Sequence, residues 1–226
     1  MTTACYVLYN EEQHITESIR SIKAYVDRIV VVDGAFSTNP GGQGPSTDNT
    51  EAIVERAAGT TSLDYIVSTI PLQEQEARNL ALAQLEVGDW ALIIDGDEVL
   101  YGDFNLAREP IARLPDVTAI GLRVYTTAVL FNGNADQMDR KQYETNPVIT
   151  TSGWQPRFFR NSPDLRFKRL RVGPGTYTHA NLCARESAIE GLQVEGVFLV
   201  NRHVQQPFDG YQADYAWETA QRDGAQ

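Results

Sequence analysis

The sequence predicts an α/β protein with a mostly parallel central sheet flanked by helices, and a smaller mixed part on the C-terminal side. Three observations carry this. Apolar runs such as RIVVVD (residues 28–33) and WALIID (90–95) lack polar alternation, as strands covered on both faces do. Stretches with apolar residues at helical spacing lie between such runs. The junctions hold Gly, Pro, Ser and Asn, the residues of turns and caps.

Taken in order, TACYVLY (3–9) reads as a first strand. Asn10 follows as an expected N-cap, with Glu11 and Glu12 suited to the positive end of a helix. Ile15, Ile19, Ile22 and Val26 then mark one helical face. Residues 28–33 form the second strand and 46–59 a capped helix. Residues 63–69 form the third strand, 72–86 a helix ended by Gly88, and 90–95 the fourth strand. Four strands alternating with three helices imply right-handed crossovers in one parallel sheet. Further on, 104–114 reads as a helix despite Pro110, and 119–131 as a strand. Residues 132–153 read as a polar surface loop, 154–160 and 196–203 as strands, and 211–222 as a terminal helix. No linker divides the halves, so residues 1–226 are expected to form one domain.

The 226 residues carry a net charge of −11, which argues against nucleic acid as the main partner. A small phosphorylated ligand needs only a few local cations or a metal, and stays open. Cys5 and Cys183 lack metal-ligand spacing, and Cys5 reads as a buried thiol. No basic-then-apolar leader is seen, and no apolar run is long enough to span a membrane, so the expectation is a cytoplasmic protein.

In an open parallel sheet, ligands bind outside the carboxyl ends of the strands. Tyr9–Asn10, Asp33–Gly34, Thr69–Ile70 and Asp95–Gly96 fall there. Two strands end in Asp-Gly, which sets a carboxylate at the rim. The second of these continues as DGDE, crowding Asp95, Asp97 and Glu98 into one turn. Such hard oxygen ligands suit Mg2+ or Mn2+; the plain alternative is a solvated acidic turn. Arg78, early in the third helix, reads either as a phosphate clamp or as the partner of Glu74 one turn before it.

These motifs together resemble the GT-A fold nucleotide-sugar glycosyltransferases, especially the large inverting family 2. The resemblance rests on YNEE (9–12), VVVDG (30–34) with STDNT (46–50), ARN (77–79) and DWALIIDGDE (89–98), in family order over the first hundred residues. The second motif is split here by an eleven-residue insertion, 35–45. A looser likeness in RFFRN (157–161) points to the subgroup resembling bacterial lipopolysaccharide-core and peptide glucosyltransferases.

The resemblance implies a Rossmann-like domain whose residues 1–100 bind the nucleotide sugar and whose residues 101–226 face the acceptor. It implies metal-dependent transfer of a sugar from a nucleotide diphosphate sugar, UDP-sugar favoured, to an acceptor that is saccharide, lipid-linked or protein. Tyr9, Asn10, Glu12, Asp33, Arg78, Asp95 and Gly96 would line the nucleotide, with Asp33 on the base. Asp97, with Asp95 and the late His203, would hold Mn2+ or Mg2+. Trp154, Arg157 and Tyr177 would lie on the acceptor side. The family's HE glutamate is missing, since Ala180 follows His179, and its ED pair is absent. The base is therefore open among Glu98, His179 and Glu186, and the inverting outcome with it. A sugar-phosphate nucleotidylyltransferase is the alternative enzyme, although NEEQ after the first strand would repel a triphosphate. A decayed binding module is the alternative without catalysis.

Overall fold

The computed structural model describes residues 1–37, 42–114, 116–128, 148–173, 176–184, 187–188 and 191–201. The first half alternates as expected: β1 (Thr2–Leu8), α1 (Ile15–Ile22), β2 (Arg28–Asp33), α2 (Thr50–Ala58), β3 (Ser62–Val67), α3 (Glu74–Leu82) and β4 (Trp90–Ile93). The second half adds β5 (Glu98–Gly102), α4 (Asn105–Arg113), β6 (Ala119–Ala128), β7 (Val148–Arg160), β8 (Leu165–Gly173), β9 (Thr176–Ala184), β10 (Ser187–Ala188) and β11 (Leu192–Asn201).

Eight strands form one sheet in the order β3-β2-β1-β4-β7-β6-β11-β5, so both halves of the sequence share it. β3, β2, β1 and β4 are mutually parallel neighbours. β7 runs antiparallel between β4 and β6, β11 is parallel to β6, and β5 closes the row antiparallel. The register sets Leu8 opposite Asp33 and Asp33 opposite Val67, so neighbouring strands end together at one rim. β8, β9 and β10 form a separate three-stranded antiparallel sheet.

Alternate residues of each strand feed two cores. Tyr6, Leu8 and Val31 pack with Ile15, Ile19 and Val54 of α1 and α2. Cys5, Val7, Val30 and Val32 pack on the other face with Ala77, Ala81, Leu165 and Phe167, from α3 and β8. Cys5 and Cys183 are both buried, and neither forms a disulfide among the described residues.

Several expectations need correction. Asn10 is not the N-cap of α1; that position is His14, and Asn10 adopts φ +56°. Asparagine tolerates this left-handed region when its side chain bonds locally, and here the Asn10 amide oxygen accepts from the Thr47 backbone N–H at 2.8 Å. Residues 148–153 belong to β7 rather than to a loop; their β-branched VITT run outweighs the polar character that suggested otherwise. β5, β8, β9 and β10 have no counterpart in the sequence reading. Residues 132–147 and the expected helix at 211–222 lie outside the described residues.

Asn79 joins α3 to the small sheet. Its Nδ2 donates to the Phe167 carbonyl at 2.9 Å, and its Oδ1 accepts from the Phe167 N–H at 2.8 Å. One amide thus satisfies both backbone groups of an edge strand, as a neighbouring strand would. Asn79→Ala strips both bonds and is expected to cost about 1–3 kcal/mol. The expected result is a lower urea midpoint, with amide exchange accelerating in β8 and β9 and unchanged in β1.

Candidate active site

The site is built around the turn that follows β4. Ile94 is buried, then Asp95, Gly96 and Asp97 turn the chain, and Glu98 opens β5. The Glu98 Oε2 accepts from the Asp95 backbone N–H at 2.9 Å, which folds the turn on itself. Gly96 is required by contact: a Cβ there would lie 2.7 Å from Leu8 Cδ2 and 3.0 Å from Glu11 Cγ. The resemblance places Gly96 against the nucleotide; the atoms nearest its absent Cβ belong to the end of β1 and to the NEE segment.

Two buried arginines grip the turn. Arg78 donates from Nη2 to Asp95 Oδ1 at 2.8 Å and from Nε to Glu74 Oε1 at 3.0 Å. Arg157 donates from Nη2 to Glu98 Oε1 at 2.7 Å, and reaches Asp95 Oδ2 at 3.4 Å. Burial pushes the Asp95 carboxyl up, but Arg78 and Arg157 outweigh it and hold it at about 2. Glu98 is only 1% exposed; burial raises its carboxyl, Arg157 opposes that, and Asp95 adds to it. The Arg78 guanidinium also lies over the Phe167 ring, 5.5 Å from its centre.

Two site residues take up definite partners here. Arg78 holds carboxylates: the Glu74 pairing foreseen in the sequence is present, and Asp95 joins it. Arg157, expected on the acceptor side, belongs to this network. The cause is β7, whose Phe158 lies opposite Leu92 of β4, so that Arg157 falls at the end of β4.

Asp97 is half-buried on the same turn. Burial, then Asp97, Asp95 and Asp48, push the Glu11 carboxyl up to about 8. This concentration of negative charge is what a divalent cation relieves. Among the described residues no three His, Cys, Asp or Glu side chains converge as a metal cage. Mg2+ needs no such cage, since it takes one or two carboxylates and completes its shell with water and phosphate oxygens. The residues present fit that mode: Asp97 would be the ligand, with Asp95 beside it.

The NEE segment and the 46–50 loop form one hydrogen-bonded unit. The Asn10 N–H donates to Ser46 Oγ at 2.8 Å, the Glu11 N–H to Thr50 Oγ1 at 2.8 Å, and the Glu12 N–H to Asp48 Oδ2 at 3.2 Å. Glu12 Oε2 accepts from the Asn49 N–H at 3.1 Å. Tyr9 is half-buried just before this unit. Asp33, 2% exposed, accepts from the Ser46 N–H at 3.0 Å, the Ser46 hydroxyl at 2.6 Å and the Tyr65 hydroxyl at 3.0 Å. Burial and the Asp33 carboxylate push the Tyr65 hydroxyl up, so it stays a donor.

Trp154 is half-buried on β7, with the Arg123 guanidinium 4.7 Å from its ring centre. Tyr177 and His179 lie on β9, two residues apart. His203 and Glu186 lie outside the described residues. Sequence reasoning assigned no role to Asn79, Phe167, Ser46 or Tyr65. Asn79 and Ser46 stood inside the quoted motifs; Phe167 and Tyr65 carried no signal beyond being aromatic. Arg157→Met leaves Glu98 buried without its cation and is expected to cost about 3 kcal/mol or more in urea unfolding, while Arg157→Met with Glu98→Met recovers most of the loss.

No described helix is long and apolar enough to cross a membrane. A search of curated proteins gave no match. Among solved structures, TarS from S. aureus is similar at 22% identity and TM-score 0.48, over 74% of this chain and 30% of that one. TarS residues 1–349 in complex with UDP are similar at 24% identity and TM-score 0.40, over 59% of this chain and 37% of that one. Glucosyl-3-phosphoglycerate synthase from Mycobacterium tuberculosis, in complex with Mg2+ and UDP, is similar at 20% and TM-score 0.38, over 57% and 43%. The matched part is therefore less than half of each of these three chains. The profile of Glycosyl transferase family 2 matches residues 3–180, which hold the carboxylate turn, both arginines and the NEE segment: the chain belongs to that family.

Proposed function

We propose that the chain moves a sugar from a UDP-sugar to an acceptor, with Mn2+ or Mg2+ held at Asp97. The observation that supports this most is the Asp95–Glu98 turn, fixed by two buried arginines at the carboxyl ends of the strands. A carboxylate pair held that firmly is preorganised, and preorganised charge is what stabilises a transition state. The metal would supply a Lewis acid that offsets charge on the leaving diphosphate.

The chain's own residues divide the rest of the work. Arg78 and Arg157 orient Asp95 and keep it anionic. Glu98 fixes the turn, and with its carboxylate in the Arg157 pair it acts as a positioning residue. Of the other two groups named for the acceptor's proton in an inverting transfer, His179 on β9 and Glu186, our reading favours His179. Trp154 and Tyr177 would flank the acceptor. Glu74 and Asp95 occupy the Arg78 guanidinium, and Glu98 and Asp95 that of Arg157, so neither cation is spare for a triphosphate clamp, which weighs against a nucleotidylyltransferase.

Release of UDP from UDP-sugars separates a transferase from a decayed module, because many transferases hydrolyse their donor slowly when no acceptor is present. Hydrolysis is expected with Mn2+ or Mg2+, is lost with EDTA, and falls by about 100-fold or more in folded Asp97→Ala. Undiminished hydrolysis in that variant would overturn the assignment of Asp97.

A further inference from the structure

We infer that Ser18 and Ser21 of α1, together with Tyr6 of β1, are positioning residues that set the place of Asp97 on the carboxylate turn. This rests on the nucleotide-sugar reading and deepens it by naming what holds the backbone of its cation-binding turn.

The observations start in the first core. α1 buries Ile15, Ile19 and Ile22 there, and Ser18 is fully buried among them. Tyr6 of β1 is fully buried as well. Two hydroxyls in such surroundings are costly unless bonded, and alanine and phenylalanine would occupy the same places without that cost. The bonds of these hydroxyls lead to one destination. Ser18 Oγ donates to the Asp95 carbonyl at 3.4 Å. With the serine proton committed there, the Tyr6 hydroxyl donates to Ser18 Oγ at 3.1 Å.

Ser21 acts one helical turn further along α1. Its Oγ accepts the Leu100 N–H at 3.0 Å and donates to the Ser18 carbonyl at 2.7 Å. The helix therefore holds the Asp95 carbonyl and the Leu100 N–H, and Asp97 lies on the chain between these two anchors. The Asp95 carbonyl also accepts the Glu98 N–H at 3.0 Å, so both its lone pairs are used. Arg78 and Arg157 fix the side chains of Asp95 and Glu98, whereas the serines fix the backbone that carries Asp97.

Hydroxyl bonds of this kind add little net stability, because removing both partners also removes the cost of burying them. They do specify position. Apolar side chains tolerate small slides, while a hydrogen bond is met only within a narrow range of distance and angle. An error in the turn's place is an error in the place of Asp97.

Stability and cation affinity separate positioning from mere support. Urea midpoints are measured for the natural chain, Ser18→Ala, Tyr6→Phe with Ser18→Ala, Ser21→Ala and Ile19→Val. Dissociation constants for Mn2+ with UDP present are read from the paramagnetic resonance of the free ion. Ser18→Ala strands the Tyr6 hydroxyl and lowers the midpoint, and the added Tyr6→Phe restores much of it. Mn2+ affinity is expected to fall by about threefold or more in Ser18→Ala, in the double variant and in Ser21→Ala alike. Amide exchange at residues 96–100 is expected to speed up in all three. Ile19→Val trims the same helix by one methyl group, lowers the midpoint and is expected to leave Mn2+ affinity unchanged. A double variant within about threefold of the natural Mn2+ affinity overturns the proposal and leaves the transferase reading intact. So does an Ile19→Val variant that loses as much affinity as Ser18→Ala, since the loss then follows stability alone. Should the Ser18 variants fail to fold, Ser21→Ala and Ile19→Val decide by the same criteria. If the natural chain binds no Mn2+ with UDP present, the cation reading of Asp97 falls, and this proposal with it.

Discussion

Asp95 and Glu98 stand three residues apart on one turn, and the guanidiniums of Arg78 and Arg157 hold them there. The rest of the site depends on this arrangement. Carboxylates this close, one buried and the other partly so, repel one another, and cations set against them make such a turn stable. The arginines come from α3 and β7, so the network joins the parallel half of the sheet to its antiparallel half. Arg78 continues the linkage through the Phe167 ring, and Asn79 next to it binds the Phe167 backbone. Consecutive residues of one helix thus grip the carboxylate turn and the small sheet that carries His179. These few contacts set the distance between the carboxylate turn and the small sheet.

A second constraint acts at the neighbouring strand ends. Residues 10–12 and 46–50 are far apart in sequence, yet each backbone N–H of the first segment donates to a side chain of the second. The positive φ of Asn10 makes this crossing geometrically possible. This explains why an insertion is tolerated between Asp33 and Ser46. The neck is closed by Ala35 and Gly44, and the loop beyond it costs little extra entropy. The motif broken in sequence is restored in space.

The parallel half was legible because its strands are covered on both faces and carry no polar interruption; Val30, Val31 and Val32 are all fully buried. Of its four strand ends at the site, that of β2 falls as read and those of β1, β3 and β4 come one or two residues earlier, while the helices start later than read, since capping competes with side-chain bonds that only the fold creates. Asn10 shows this: its preference for local bonding was visible, but the partner was Thr47 rather than the helix. β8 was illegible because RFKRLRV mixes cations into an alternating strand, and its apolar partners lie on α3, 88 residues away for the Asn79–Phe167 pair. At the site, Asp95, Asp97 and Glu98 stood out by their crowding. Their arginines did not, because pairing across a sheet depends on strand order, and β7 lying beside β4 is a fact of topology.

The central claim is that the two arginines fix Asp95 before any ligand arrives and keep it fixed afterwards. A crystal structure of the chain with UDP and Mn2+ tests it most directly. The account predicts Asp95 still bonded to Arg78 and Arg157, with the metal against Asp97 and the diphosphate. An Asp95 carboxylate swung away from both arginines, with Arg78 moved onto the phosphates, would contradict it.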